Sequence, residues 1–197
     1  MSPQLVTKSH LLDSSQMARV MRRMAVEVVE RNGGVENLVL VGIRTRGVPL
    51  ADFMAKEIEK AEGVSVPQGI LDITLYRDDL STIAPQPVVK ESHLPEAIEG
   101  VTLVLCDDVL YTGRTIRAAL DALMDYGRPK AVQLAVLIDR GHRELPIQAD
   151  FIGQQIQTSD SEVIKVTFAD TDDGDENVRL LDRPASEAEP SPEQGGA

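Results

Sequence analysis

The sequence is poor in the residues that mark several other classes of protein. Its 197 residues include one cysteine, no tryptophan and only 3% aromatic residues. A single cysteine cannot form an internal disulfide, which favours a reducing, cytoplasmic location. No apolar run approaches the roughly 20 residues that span a membrane, and the N-terminus lacks the basic and apolar segments of a signal peptide. The 42% hydrophobic residues instead indicate a globular domain with a mainly aliphatic core.

Bases are outnumbered by acids, 20 Lys and Arg against 32 Asp and Glu, so the formal net charge is −12. Residues 169–197 contain nine acids and two bases, so they carry −7 and leave −5 for residues 1–168. The main body is therefore only mildly acidic, which is compatible with a local basic surface. Residues 184–197, with the sequence PASEAEPSPEQGGA, have the composition of a disordered acidic tail. We expect a single domain over residues 1–183.

Hydrophobic spacing predicts helices that alternate with short, apolar strands. Helices are predicted at residues 13–33, 49–62 and 114–126, strands at 38–43, 67–75, 101–106, 131–138 and 162–168, and a long loop at 76–95. This order is typical of an α/β fold with a mostly parallel sheet and right-handed crossovers. Such sheets bind ligands at the carboxyl ends of their strands.

The most informative stretch is residues 103–115, with the sequence LVLCDDVLYTGRT. Asp107 and Asp108 follow an apolar strand, and two carboxylates side by side can each accept a hydroxyl group of a ribose. The turn from Thr112 to Thr115 opens the next helix, where backbone amides bind phosphate, and Gly113 permits close approach. A plain strand with a polar turn is the simpler interpretation. The full run of residues favours a site for a 5-phosphorylated sugar.

Two other predicted strands also end in polar loops. The sequence RTRG occupies residues 44–47, and DRGHR occupies residues 139–143. Together with the loop that contains the acid pair, they place clusters of charged and polar residues at three strand ends.

Four stretches together resemble a known family. LVLCDDVLYTGRT resembles the phosphoribosyl-pyrophosphate (PRPP) signature of type I phosphoribosyltransferases. VGIRTRGVPLA (41–51), DITLYRDDL (72–80) and DRGHRELPIQADFIG (139–153) are similar to the bifunctional pyrimidine-operon attenuation proteins with uracil phosphoribosyltransferase activity. The resemblance covers about residues 13–168. It implies a type I fold, with a mostly parallel central sheet flanked by helices, a small hood and a flexible loop.

The resemblance implies that the chain makes UMP and diphosphate from uracil and PRPP. Mg²⁺ would be held mainly by PRPP oxygens, without an all-protein metal site. The implied catalytic residues are Asp107, Asp108, Arg46 and Arg77. The implied PRPP or UMP contacts are Thr45, Arg46, Asp107, Asp108, Val109, Leu110, Tyr111, Thr112, Gly113, Arg114 and Thr115. The implied base-binding residues are Ile138, Asp139 and Arg140.

Two further features follow from the resemblance. The Thr45–Arg46 peptide of the pyrophosphate loop is often a non-proline cis bond in this family, and a homo-oligomer is expected. Purine-using relatives carry an acid where this chain has Tyr111. Because tyrosine is a poor base at neutral pH, Tyr111 disfavours a purine substrate.

The family's second activity is UMP-dependent binding of a messenger-RNA leader. The candidate RNA-binding residues here are Arg19, Arg22, Arg23, Arg31, His142 and Arg143. Four of them, Arg23, Arg31, His142 and Arg143, stand where the family has basic residues, whereas Arg22 replaces a small polar residue. Val26, Gln148 and Gln154 depart from residues often seen in RNA-binding members, and each lost cation removes about one phosphate contact. The arginines of the first helix are equally compatible with a solvated helix face. Two alternatives therefore stay open: a UMP- or PRPP-sensing regulator with weak or no catalysis, and a salvage enzyme that has lost RNA binding.

Overall fold

The computed structural model describes residues 5–78, 91–95, 98–172 and 176–182. These residues form eight β-strands: β1 (Val6–Asp13), β2 (Leu38–Ile43), β3 (Gln68–Leu71), β4 (Thr102–Leu110), β5 (Ala131–Asp139), β6 (Phe151–Gln155), β7 (Glu162–Thr167) and β8 (Asn177–Asp182). The α-helices are α1 (Ser14–Asn32), α2 (Gly47–Glu62) and α3 (Arg114–Met124), and a 3₁₀ turn occupies Thr74–Tyr76. Among the described residues, no helix is long and apolar enough to cross a membrane.

The centre of the fold is a five-stranded parallel sheet in the order β3-β2-β4-β5-β6. Successive side chains of its strands point to opposite faces. One face packs on α1 and α2 and the other on α3, which gives two aliphatic core layers. The middle strands are almost wholly apolar because both of their faces are covered. The predicted parallel α/β fold is confirmed.

Both ends of the described chain form a second, antiparallel sheet in the order β1-β8-β7. This small sheet is the hood that the resemblance implies. Lys8 on β1 and Glu162 on β7 are joined by an ion pair of 2.6 Å. The prediction found the strand at β7 but missed β1 and β8. Polar residues alternate irregularly in β1, where two register shifts interrupt its pairing with β8, so its period-2 pattern is weak in the sequence.

The first helix confirms its sequence signals. The Asp13 carboxylate accepts the Gln16 amide at 2.8 Å, and the Gln16 side chain accepts the Asp13 amide at 2.9 Å, which is a capping box. Gly33 ends the helix with a φ of 67°. Its methionine stripe is buried, whereas Val26 faces outward with 48% of its surface exposed.

Several predicted boundaries are wrong. The strand expected at 67–75 ends at Leu71, because the Asp72 carboxylate accepts the Thr74 amide at 2.8 Å and starts the 3₁₀ turn. The strand expected to end at 106 continues to Leu110, because residues beyond 106 still pair with β5. The helix expected to end at 126 ends at Met124, and β6 was not predicted. Residues 79–90 of the predicted loop and the expected tail at 184–197 lie outside the described residues.

Candidate functional site

A pocket of about 290 Å³ opens at the carboxyl ends of β2 and β4. Its lining comprises Arg44, Thr45, Arg46, Ile73, Arg77, Asp107, Asp108, Val109 and Thr115. Seven of these were predicted from the sequence, and Arg44 and Ile73 were not. The pocket therefore brings together three arginines, two adjacent carboxylates and the first turn of α3.

The acid pair lies inside β4 rather than after it, and only Asp107 is almost fully buried, at 5% exposure. The Asp108 amide donates to the Asp107 carboxylate at 3.0 Å. Burial raises the pKa of Asp107 well above its usual range, and the Asp108 carboxylate raises it further. Burial also raises the pKa of Asp108, although the Arg46 guanidinium opposes this shift. Ionisation of both close carboxylates is thus unfavourable until a ligand or cation stabilises their negative charge.

Arg46 is oriented by a residue from the far end of the chain. Its Nε and Nη2 donate to the two carboxylate oxygens of Asp172, at 3.1 and 2.7 Å. The Asp172 carboxylate also accepts the Phe168 amide at 3.2 Å. The Arg46 hydrogen bond lowers the pKa of Asp172 to about 2, so this carboxylate is ionised at neutral pH. The pair fixes the guanidinium plane, and among the described residues Nη1 has no protein partner.

Arg44 is a pocket residue that the sequence reasoning missed. Its Nε is buried without a hydrogen-bond partner among the described residues, while Nη2 donates to the Glu91 carbonyl at 3.2 Å. The peptide between Arg44 and Thr45 is cis, so the non-proline cis bond lies one peptide before the expected position, Thr45–Arg46. Its position in the RTRG loop, directly before the predicted contacts Thr45 and Arg46, could have identified it.

Arg77 reaches the pocket from a segment that is docked on α3. The Tyr76 hydroxyl donates to the Asp125 carboxylate. Arg117 donates to the Tyr76 carbonyl at 3.3 Å, and Arg114 pairs with Asp78 at 2.8 Å. These contacts hold the chain on both sides of Arg77 and aim it at the acid pair, where its positive charge lowers the pKa of Asp107 against the stronger effect of burial.

The predicted phosphate turn has the geometry of a helix start. Gly113 has a φ of 95°, a conformation that favours glycine, and α3 begins at Arg114. First-turn amides of a helix lack carbonyl partners and attract anions. Thr115 lines the pocket, whereas the Leu110 side chain is buried in the core and the Arg114 guanidinium pairs with Glu144 and Asp78 outside it.

The predicted base-binding residues lie beside the pocket rather than in its lining. The Arg140 amide donates to the Leu110 carbonyl at 3.1 Å, which joins the two strand ends. Ile138 is fully buried, and both oxygens of the Asp139 carboxylate are held, by Gly141 and Arg143. The Arg140 guanidinium lies 4.0 Å from the ring centre of Tyr111. The side chains of Ile138 and Asp139 are thus engaged within the chain. The Asp139 carbonyl also accepts the Ile156 amide at 2.8 Å, so the contact of these residues with a base stays a prediction.

The acid pair suits a Mg²⁺ ion that takes most of its ligands from a substrate. Asp107 and Asp108 are the acids of the pocket lining, and no group of three or more metal-ligating side chains occurs among the described residues. Mg²⁺ commonly keeps one or two carboxylates and substrate phosphates as ligands.

Most of the predicted RNA-binding cations already have partners within the chain. Arg22 pairs with Glu57 at 2.7 Å, and Arg31 pairs with Asp150 at 2.8 Å. Arg23 pairs with Glu27 and also donates to the Gly153 carbonyl, at 2.5 Å for each contact.

The two candidates that follow β5 are engaged as well. His142 lies 3.1 Å from Asp160, and Arg143 contacts Asp139 at 2.6 Å. Arg19 is the member of the set for which no ion pair is found among the described residues. The RNA surface therefore stays a prediction.

Comparison with known proteins places this geometry in a family. The model of the phosphoribosyl transferase domain matches residues 7–171. The bifunctional protein PyrR of Pelotomaculum thermopropionicum is 57% identical over 175 residues, which cover 89% of this chain and 96% of that protein. The bifunctional protein PyrR of Deinococcus radiodurans is 53% identical over the same length, with 89% and 95% covered.

Solved structures agree on the fold. The hypoxanthine phosphoribosyl transferase of Trypanosoma cruzi superposes with a TM-score of 0.69 at 17% identity, covering 89% of this chain and 92% of that one. A hypoxanthine-guanine phosphoribosyltransferase from Bacillus anthracis gives 0.62 at 18% identity, with 90% and 99% covered. At such low identity the likeness concerns the fold alone.

Proposed function

Because the chain belongs to the phosphoribosyl transferase family, and within it to the bifunctional PyrR proteins, we propose that it is a uracil phosphoribosyltransferase. It transfers the phosphoribosyl group of PRPP to uracil and releases UMP and diphosphate. The observation that carries this proposal is the single pocket that combines the Asp107–Asp108 pair with Arg44, Arg46 and Arg77.

Each part of PRPP has a complementary group in or beside this pocket. Asp107 and Asp108 accept hydrogen bonds from the ribose hydroxyls. The amides of residues 112–115 bind the 5-phosphate at the start of α3. The pyrophosphate faces Arg44, Arg46 and Arg77, with Arg46 already oriented by Asp172.

The same groups serve the transition state. As the bond to diphosphate breaks, positive charge develops on the sugar and negative charge on the leaving group. Fixed charges aimed at developing charge supply most of the stabilisation in such sites: the acid pair faces the sugar and the arginines face the leaving oxygens. The chemistry that Mg²⁺ supplies when bound is neutralisation of the charge on the diphosphate.

Uracil is favoured over a purine because Tyr111 supplies no carboxylate to the base. The Tyr111 ring is instead covered by Arg140, whose guanidinium donates to Thr158 at 3.1 Å. Uracil then lies near Ile138, Asp139 and Arg140, at the end of β5.

The direct test is UMP formation by the purified protein from uracil, PRPP and Mg²⁺. Asp108→Asn should lower kcat by about 10²–10³-fold, the loss typical of removing a group that stabilises transition-state charge. Glu36→Gln is the matched control, because Glu36 is exposed before β2, at the opposite edge of the sheet. Wild-type turnover in Asp108→Asn would remove the assigned role of the acid pair.

A second activity, UMP-dependent binding of a pyrimidine-gene leader RNA, is favoured by the relatives' designation as bifunctional. Titration of the protein into its own leader RNA, with and without UMP at two salt concentrations, tests it. Tight, UMP-enhanced and salt-sensitive binding supports the activity. Binding no better than to a scrambled RNA leaves a salvage enzyme, and UMP binding without turnover leaves a sensor. A homo-oligomer and a cytoplasmic location belong to the same proposal.

A further inference from the structure

Arg143, which the sequence suggested for RNA, is the centre of a hydrogen-bond cluster beside the pocket. All three of its guanidinium nitrogens are engaged. Nε donates to the Ile147 carbonyl at 3.0 Å, and Nη2 donates to the Asp139 carboxylate at 2.6 Å. Nη1 donates to the carbonyls of Tyr111 at 2.9 Å and Gly141 at 3.0 Å, with a longer contact of 3.4 Å to Leu110. Only 21% of the side chain is exposed.

These acceptors belong to two different ligand loops. Leu110 and Tyr111 open the loop proposed to hold ribose and phosphate, whereas Asp139, Gly141 and Ile147 belong to the loop proposed to hold the base. Arg143 therefore joins the two loops through one rigid, planar group. Asp139 extends this network, because its second carboxylate oxygen accepts the Gly141 amide at 3.0 Å.

We infer that Arg143 is a positioning residue of the transfer reaction, which rests on the proposed function. By fixing the base loop against the ribose loop, it sets the distance and angle at which uracil meets the anomeric carbon of PRPP. Misplacement of about 1 Å by a distant change costs as much as 10²-fold in rate. Arg143 does this without touching either substrate.

The ribose-phosphate loop has anchors of its own that do not depend on Arg143. Its strand, β4, also pairs with β2 on the side away from the base loop, and the loop leads directly into α3 at Arg114. Loss of Arg143 should therefore disturb the placement of the base more than the binding of PRPP. A lysine carries the charge but not the planar fork, so it cannot bridge the same acceptors.

The test compares Arg143→Gln and Arg143→Lys with the wild type and with Arg128→Gln. Arg128 is an exposed arginine near the start of β5, at the other edge of the sheet, so it controls for the loss of one charge. For both Arg143 variants, the uracil KM should rise and kcat should fall, by about tenfold to a hundredfold together. The dissociation constant of PRPP should stay within about twofold of wild type, and Arg128→Gln should behave as wild type.

Three results would overturn the inference. Wild-type uracil KM in either Arg143 variant, with loss of leader-RNA binding, would assign Arg143 to RNA. A normal uracil KM in Arg143→Lys would show that charge alone is enough. Equal weakening of uracil and PRPP binding would indicate general loss of structure. If the wild type makes no UMP, the proposed function fails instead, and the same variants are then compared by the rise in Tm on adding UMP, which should be smaller than for wild type.

Discussion

Asp172 ties the pyrophosphate loop to the C-terminal part of the chain. It lies 126 residues from Arg46 in the sequence and holds two of its guanidinium nitrogens. An arginine with a flexible side chain would lose entropy on binding diphosphate. The ion pair removes part of this cost beforehand, because it fixes the guanidinium plane and no described residue accepts a hydrogen bond from Nη1.

Asp172→Asn should therefore raise the KM for PRPP by roughly tenfold or less, which corresponds to the loss of one charge-assisted hydrogen-bonded pair. The expected kcat change is smaller, because Arg46 stays in the pocket. Steady-state kinetics with varied PRPP measures the effect. Asp170→Asn is the control, since Asp170 is exposed two residues away. An unchanged or lower KM in Asp172→Asn would mean that the ion pair competes with diphosphate.

The acid pair predicts a pH dependence of PRPP binding. The pKa values of Asp107 and Asp108 are both raised, so the pair gains a proton at a higher pH than ordinary carboxyls. Ribose hydroxyls and Mg²⁺ favour the ionised pair. PRPP affinity should therefore fall as the pH drops through the raised pKa values, with a midpoint above about 4. Calorimetric titration at several pH values measures this, and an affinity that stays flat down to pH about 4 would contradict the raised pKa values.

Residues adjacent in sequence were the predictable part of the site. Asp107, Asp108 and Thr115 fall within one run, so their types and spacing already suggest a phosphorylated sugar. Asp172 and the Arg143 cluster were not accessible in this way, because their partners come from distant strands or are backbone carbonyls. Hydrogen bonds to carbonyls leave no mark in residue types, and Arg143 therefore looked like a surface cation.

At the level of elements, the strands buried on both faces were predicted best. In β2, five of the six residues are large and apolar, the sixth is Gly42, and all six are buried. Such a continuous apolar run clearly indicates a strand covered on both faces. Short or edge strands such as β1 and β6 carry polar residues and lack this signal. Local side-chain hydrogen bonds also moved boundaries, as Asp72 does after β3.

The capping box of α1 gives a prediction for this helix. Asp13→Ala removes the acceptor of the Gln16 amide and should lower Tm by about 2–4 °C, the effect of losing one helix cap in a domain of this size. Thermal unfolding followed by circular dichroism measures it. Ser14→Ala, at the first helical residue, should leave Tm within about 1 °C. A Tm unchanged by Asp13→Ala would mean that packing of the methionine stripe alone determines where α1 begins.

Over the whole molecule, the pocket depends on both sheets. The parallel sheet supplies the acid pair and the arginine loop, and the segment after β7 supplies the carboxylate that orients Arg46. The start of α2 packs tightly against β4 beside the pocket. A Cβ on Gly47 would lie 2.1 Å from the Cys106 carbonyl oxygen, so this close packing requires glycine. The hood is thus expected to contribute to PRPP binding as well as to stability.

The choice of base in a single reaction tests the uracil assignment most directly. Purified protein is given PRPP, Mg²⁺ and equal concentrations of uracil and hypoxanthine, and the nucleotide products are separated and quantified. UMP should be the main product, because Tyr111 offers no carboxylate to a purine. Accumulation of IMP instead would contradict the uracil assignment and would place this chain functionally with the purine enzymes whose fold it shares.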